Sequence, residues 1–195
     1  MSAEPKAERR STDKRFGLFS RFRRNDAGAT AIEFGMLALP FSLLIFAVFE
    51  SCISFAGQQV LSNITDDIAR QLRTGEIKAA DTSEGQMRSM ICKRLEIIVA
   101  KDCPGLSIDL RQYDTFAEAA KVRVKITGKV LDESEFGFDP GLAGTKNMLR
   151  IFYKWPVMTD MLRKSMANLD DGKTLIFTTT TWQNEPFDDT SNLSQ

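Results

Sequence analysis

The uncharged run from Phe34 to Phe49, FGMLALPFSLLIFAVF, constrains this chain more than any other feature in it. Sixteen residues carry no charge, and beyond Glu50 the stretch SCISFAGQQVLSNIT adds none before Asp66. As helix, Ile32 to Ile53 would extend about 33 Å at roughly 1.5 Å per residue, enough for a hydrocarbon core of about 30 Å. Ahead of it, residues 1–28 hold eight basic side chains (Lys6, Arg9, Arg10, Lys14, Arg15, Arg21, Arg23, Arg24) and four acidic ones (Glu4, Glu8, Asp13, Asp26). The excess of bases puts this leader on the cytoplasmic side and everything after about residue 55 across the membrane. Over the whole chain 26 basic residues balance 26 acidic ones, which argues against a nucleic-acid partner bound through bulk charge.

A cleaved secretory signal and a buried core helix compete for the same segment. Ser54-Phe55-Ala56 has the small-x-small form of a signal-peptidase site, which would release a secreted domain after Ala56. Against that cut, Val60, Leu61, Ile64, Ile68 and Leu72 keep helical spacing straight through it, so one rod from Ala29 to Arg73 is expected, stopped by Gly75. The organisation read from this is a basic cytoplasmic leader (1–28), a transmembrane helix with its extension (29–75) and an exported α+β domain (76–195). Within the span, Phe34, Pro40 and Phe49 face lipid or other helices, and Pro40 removes a backbone hydrogen bond where the rod can bend.

Glu33 stands at the edge of the apolar span, where a carboxylate is costly and therefore a functional candidate. A cut after Gly28 would leave a new ammonium on Ala29, four residues before Glu33 and on the same helical face. The amine of a neighbouring molecule is a second source, and the helix N-terminus with headgroup water is a third means of holding the charge.

Chemistry elsewhere is sparse. With no histidine, His-based triads and His-containing metal sites are excluded, and neither a phosphate-binding glycine loop nor Gly-x-Ser-x-Gly occurs. No enzymatic activity, cofactor or metal is expected. Cys52 reads as a small apolar residue of the span, while Cys92 and Cys103 are natural disulfide partners in an oxidising compartment. The pairs Asp66-Asp67, Asp170-Asp171 and Asp188-Asp189 read as solvated faces; Asp66-Asp67 with Arg70 and Arg73 suits ion pairs along one rod or between rods.

For the rest, an α+β fold is expected, with helices on one face of a small antiparallel sheet. Asp81 to Glu84 caps a helix whose Met87, Met90, Ile91, Leu95 and Ile98 face a core. Leu106–Leu110, Val122–Ile126, Met148–Trp155 and Thr174–Trp182 are predicted strands, and Val157–Leu169 a helix with Met158, Met161, Leu162 and Met166 inward. The loop Glu135–Gly144 (EFGFDPGLAG) either folds back over the sheet or offers Phe136 and Phe138 to a partner.

A basic leader, Gly28, and Glu33-Phe34 inside a hydrophobic helix resemble the Flp-type prepilin motif. Taken in order, Gly28-Ala29-Thr30-Ala31-Ile32-Glu33-Phe34, Leu39-Pro40, Ala69-Arg70 with Arg73-Thr74-Gly75, Tyr153-Lys154-Trp155-Pro156 and Asn184-Glu185-Pro186-Phe187 resemble the TadE-like pseudopilins of the tight-adherence type IV pilus system. The resemblance runs from residue 24 to 187, and one departure is the long 28-residue leader. It implies cleavage after Gly28 by a prepilin peptidase, a single-pass protein of the bacterial inner membrane with a periplasmic domain, and contacts with other pilins or pseudopilins and the pilus assembly platform. It implies further that Glu33, as fifth residue of the mature chain, sets register in pilus assembly. An uncleaved bitopic scaffold with a periplasmic domain remains the alternative to that reading.

Overall fold

The computed structural model describes residues 26–78 and 82–187, with side chains from Thr30 onward except that of Met161. The leader's basic residues, Asp81 and Asp188-Asp189 lie outside the described residues. In chain order the elements are α1 (Asp26–Arg73), α2 (Glu84–Leu95), β1 (Leu106–Tyr113), α3 (Phe116–Ala119), β2 (Ile126–Thr127), β3 (Val130–Leu131), β4 (Lys146–Pro156), α4 (Asp160–Met166) and β5 (Lys173–Gln183). This is the α+β arrangement expected, a long apolar helix followed by a small antiparallel sheet with helices. The chain divides into two compact units, residues 1–46 and 47–195.

In the first unit the described residues belong to α1, and most of their large apolar side chains are exposed, Phe34 and Met36 at 73% and Leu37 at 71%, with Leu43 and Ile45 half-buried. Pro40 lies inside the helix. Ser42 is satisfied locally, since its Oγ donates to the Ala38 carbonyl at 2.8 Å, one turn back.

The second unit is built on a three-stranded sheet in the order β1-β4-β5, antiparallel throughout. Its register sets Leu106 against Tyr153 and Tyr153 against Ile176, so period-2 alternation assembles one apolar face from Leu106, Ile108, Leu110, Leu149, Ile151, Tyr153 and Ile176. Onto that face α1 lays Leu61, Ile64, Ile68 and Leu72, and α2 lays Met87, Ile91 and Leu95, all buried. Both helices therefore carry the stripes read from their 3.6-residue spacing. Ser83 caps α2 in a reciprocal pair with Gln86. Cys92 and Cys103 form a disulfide that ties the end of α2 to the turn before β1. Cys52 is free and exposed.

Several details depart from expectation. The sheet is covered on both faces: behind it Phe152, Leu131, Leu169 and Leu175 form a second apolar cluster with Val124 and Phe136. Val122–Ile126 is not a strand of this sheet; only Ile126 pairs, in the separate two-residue ladder of β2 and β3. Its alternating residues instead carry Val124 to the rear cluster, a burial that alternation alone does not distinguish from strand pairing. The predicted helix Val157–Leu169 shortens to Asp160–Met166, which leaves Met158 ahead of the helix and 82% exposed, while Val157 and Leu169 are buried. Of the other methionines expected inward, Met166 is half-buried like Leu162.

The loop at Glu135–Gly144 folds back. Phe136 stacks on Phe152 with ring centroids 5.0 Å apart, and the Leu110 amide donates to the Gly137 carbonyl at 2.8 Å along the outer edge of β1. Asp109, fully buried on the rear face, accepts from Arg150 Nε at 2.8 Å and from the Gly137 amide at 3.0 Å. A buried carboxylate thus fastens the loop to the sheet, with both charges paired.

Candidate functional site

Two features of α1 carry the functional argument, one in each unit. In the first, residues 30–46 offer an apolar surface whose single ionisable side chain is Glu33. Glu33 is exposed and makes no ion pair among the described residues. Phe34 and Pro40 lie exposed on the same stretch of helix, whereas Phe49, 62% exposed, belongs to the second unit. The Gly28–Ala29 bond falls within the first turn of α1, where backbone amides have no partner inside the helix. The apolar window in α1 is long enough to cross a membrane, and none of it is buried.

In the second unit α1 is held along its length by segments distant in sequence. At Gly57 the helix approaches β4 so closely that a Cβ would stand 2.6 Å from the Trp155 ring. Farther along, the Thr180 hydroxyl donates to Asp66 at 2.8 Å and Arg94 of α2 pairs with Asp67. At the C-terminus Gly75 takes a left-handed φ of 74° with its open side against the Phe187 ring. There the Glu185 amide donates to the Arg73 carbonyl at 2.9 Å, and the two side chains pair at 3.2 Å.

These contacts account physically for two of the tetrapeptides noted in the sequence. In Tyr153-Lys154-Trp155-Pro156, Trp155 fills the niche over Gly57. In Asn184-Glu185-Pro186-Phe187, buried Asn184 accepts from Trp182 Nε1 at 2.7 Å and donates to the Leu142 carbonyl at 3.0 Å, which aims Glu185 and Phe187 at the end of α1. Asp66, Asp67, Arg70 and Arg73 all find partners inside this unit.

Glu50 was not singled out by sequence reasoning. It is 9% exposed, and its carboxylate accepts from the Met158 amide at 2.5 Å and the Thr159 amide at 3.3 Å. Thr159 is the residue before α4 and supplies no side-chain cap of its own, so a carboxylate from α1 serves an end that the local sequence leaves open. The available signal was position: Glu50 is the one charge in the interval from Phe34 to Thr65.

Against known proteins, residues 28–70 match the model of the family described as TadE-like protein, about a fifth of the chain. The match begins at Gly28 and ends within the helix that the second unit holds. No curated protein and no solved structure matches the chain.

Proposed function

We propose, from the TadE-like match and the geometry of α1, that this chain is a minor pilin or pseudopilin of a tight-adherence pilus, anchored in the inner membrane and cut after Gly28 by a prepilin peptidase. The observation that carries the proposal is the exposed apolar helix with one carboxylate near its start, in a segment whose family match opens at Gly28. Such a helix exchanges lipid contacts for equivalent contacts with other helices at little hydrophobic cost. Glu33 then selects register, because it meets the ammonium of Ala29, in its own molecule or the next, in a low-dielectric setting where an unpaired charge is expensive. The periplasmic unit meets other pilins and the assembly platform, and the chain acts by assembly without catalysis.

Release after Ala56 fits the geometry poorly. Gly57 lies in mid-helix under Trp155, so a cut after Ala56 would put the new chain end inside the packed helix and sever Glu50 from the Met158 and Thr159 amides. Amino-terminal sequencing of the protein purified from piliated cells is the test: Ala29 is the expected first residue. Gly57 or the original start would replace the proposal with the secreted or the uncleaved form. A Glu33→Ala variant should insert normally yet abolish piliation, and wild-type fibres in that variant would refute the register role.

A further inference from the structure

At the end of the second unit where α1 enters it, a groove of about 370 Å³ opens between α1, the turn after α2 and the end of β4. Ile53, Val99, Ala100, Trp155, Pro156 and Met158 line it. Three contacts fix which end this is. Along α1, Gly57 lies at Trp155, Asp66 at Thr180 and Gly75 at Phe187, so the helix runs from the Pro156 end of the sheet towards the Lys146 end. The groove therefore opens at the level of Ile53, the last residue of the stretch long enough to cross a bilayer.

We propose that this groove rests on the outer leaflet of the bilayer that α1 spans, with Met158 and the turn at Val99-Ala100 entering the headgroup and upper acyl region. The exposed apolar surface of α1 at Phe49 and Ile53, four residues apart on one helical face, runs directly into it, so lipid that covers the helix also meets the groove. Met158, 82% exposed, and Ile97, 85% exposed and next in sequence to the groove residue Ile98, are large apolar side chains left uncovered by the fold. Trp155 and Tyr153 form the apolar floor of the groove, and both belong to the buried core. Lys154 and Lys173 also border the groove, but their ammonium groups pair with Glu133 at 3.2 Å and with Asp171 at 2.7 Å, so the contact proposed is with the apolar part of the lipid. Glu50 is no obstacle, because the Met158 and Thr159 amides already hold its carboxylate.

The inference rests on α1 spanning the membrane, and site-directed spin labelling separates the two. Nitroxides are placed one at a time at Met158→Cys, Ala100→Cys, Leu44→Cys and Leu142→Cys in full-length chain carrying Cys52→Ser, reconstituted in vesicles of phosphatidylethanolamine and phosphatidylglycerol. Leu142 is an exposed apolar control beside the far end of β4, about 30 Å away at roughly 3.3 Å per strand residue. The expected result is an oxygen-to-nickel-chelate accessibility ratio severalfold higher at 158 and 100 than at 142, approaching that at 44. Water-like ratios at 158 and 100 with a lipid-like ratio at 44 would overturn the inference and leave the spanning helix standing. A water-like ratio at 44 overturns both. Protection of 158 and 100 from both reagents means that protein, such as a second copy, covers the groove, and also overturns the inference.

Discussion

A glycine in a helix normally weakens it, and α1 contains two whose surroundings give opposite answers. Gly57 exists because Trp155 occupies the place of its side chain, whereas nothing stands within 4 Å of a Cβ on Gly35. Gly57→Leu should therefore destabilise the second unit by about 1–3 kcal/mol through overpacking, read by denaturant unfolding of the purified chain in micelles. Gly35→Leu should leave the same curve unchanged. On the rear face, Asp109→Ala strands Arg150, 4% exposed, without its carboxylate and should cost about 3–5 kcal/mol in that assay. The double change of Asp109 and Arg150 to apolar residues should recover much of that loss. None of these roles is visible locally: Gly57 resembles any small residue in an apolar run, and Asp109 sits in an alternating strand at a position that usually faces water.

At the level of elements, α1 is one helix with two kinds of surface, an apolar stretch with no residue buried from Thr30 to Phe49 and an amphipathic stretch whose stripe is buried by the sheet and α2. The stripe was legible from spacing alone, as were α2 and the stop at Gly75. What holds these elements together is less local. Arg94 reaches from α2 to Asp67 of α1, and this hydrogen bond holds the Asp67 carboxyl below its ordinary value of 3.8. The folded protein then binds that proton less readily than the unfolded chain, so the stabilisation is complete above about pH 4 and is lost as pH falls through the lowered value. Thermal unfolding should show wild type more stable than Asp67→Asn at neutral pH, with the two converging in strong acid. The Cys92–Cys103 disulfide closes a loop of sequence separation 11 between α2 and β1. Reducing it should lower stability by about 2–3 kcal/mol on the chain-entropy account, measurable as a shift in denaturant midpoint.

For the molecule as a whole, the core of the second unit needs residues that precede the sheet by more than thirty positions. Leu61, Ile64, Ile68 and Leu72 are buried with the strands, so a chain starting at residue 47 should fold cooperatively, whereas one starting at residue 76 should not. Circular dichroism with a thermal scan of both truncations checks this, and a cooperative transition in the shorter one would contradict it. The amino-acid order by itself determined the apolar helix, the α+β class and the inward stripes of α1 and α2, because hydrophobic run length and periodicity depend on neighbours a few residues apart. Only the tertiary structure decided that Val124 goes to a rear cluster and not to a strand, that Glu50 caps α4, and that Trp155 grips α1 at Gly57 while Phe187 packs on Gly75 just past its end. Those outcomes depend on which distant surfaces meet, and the free energy of such a meeting lies in burial and pairing between segments as far apart in sequence as Glu50 and Met158, a separation of 108. No local pattern encodes it.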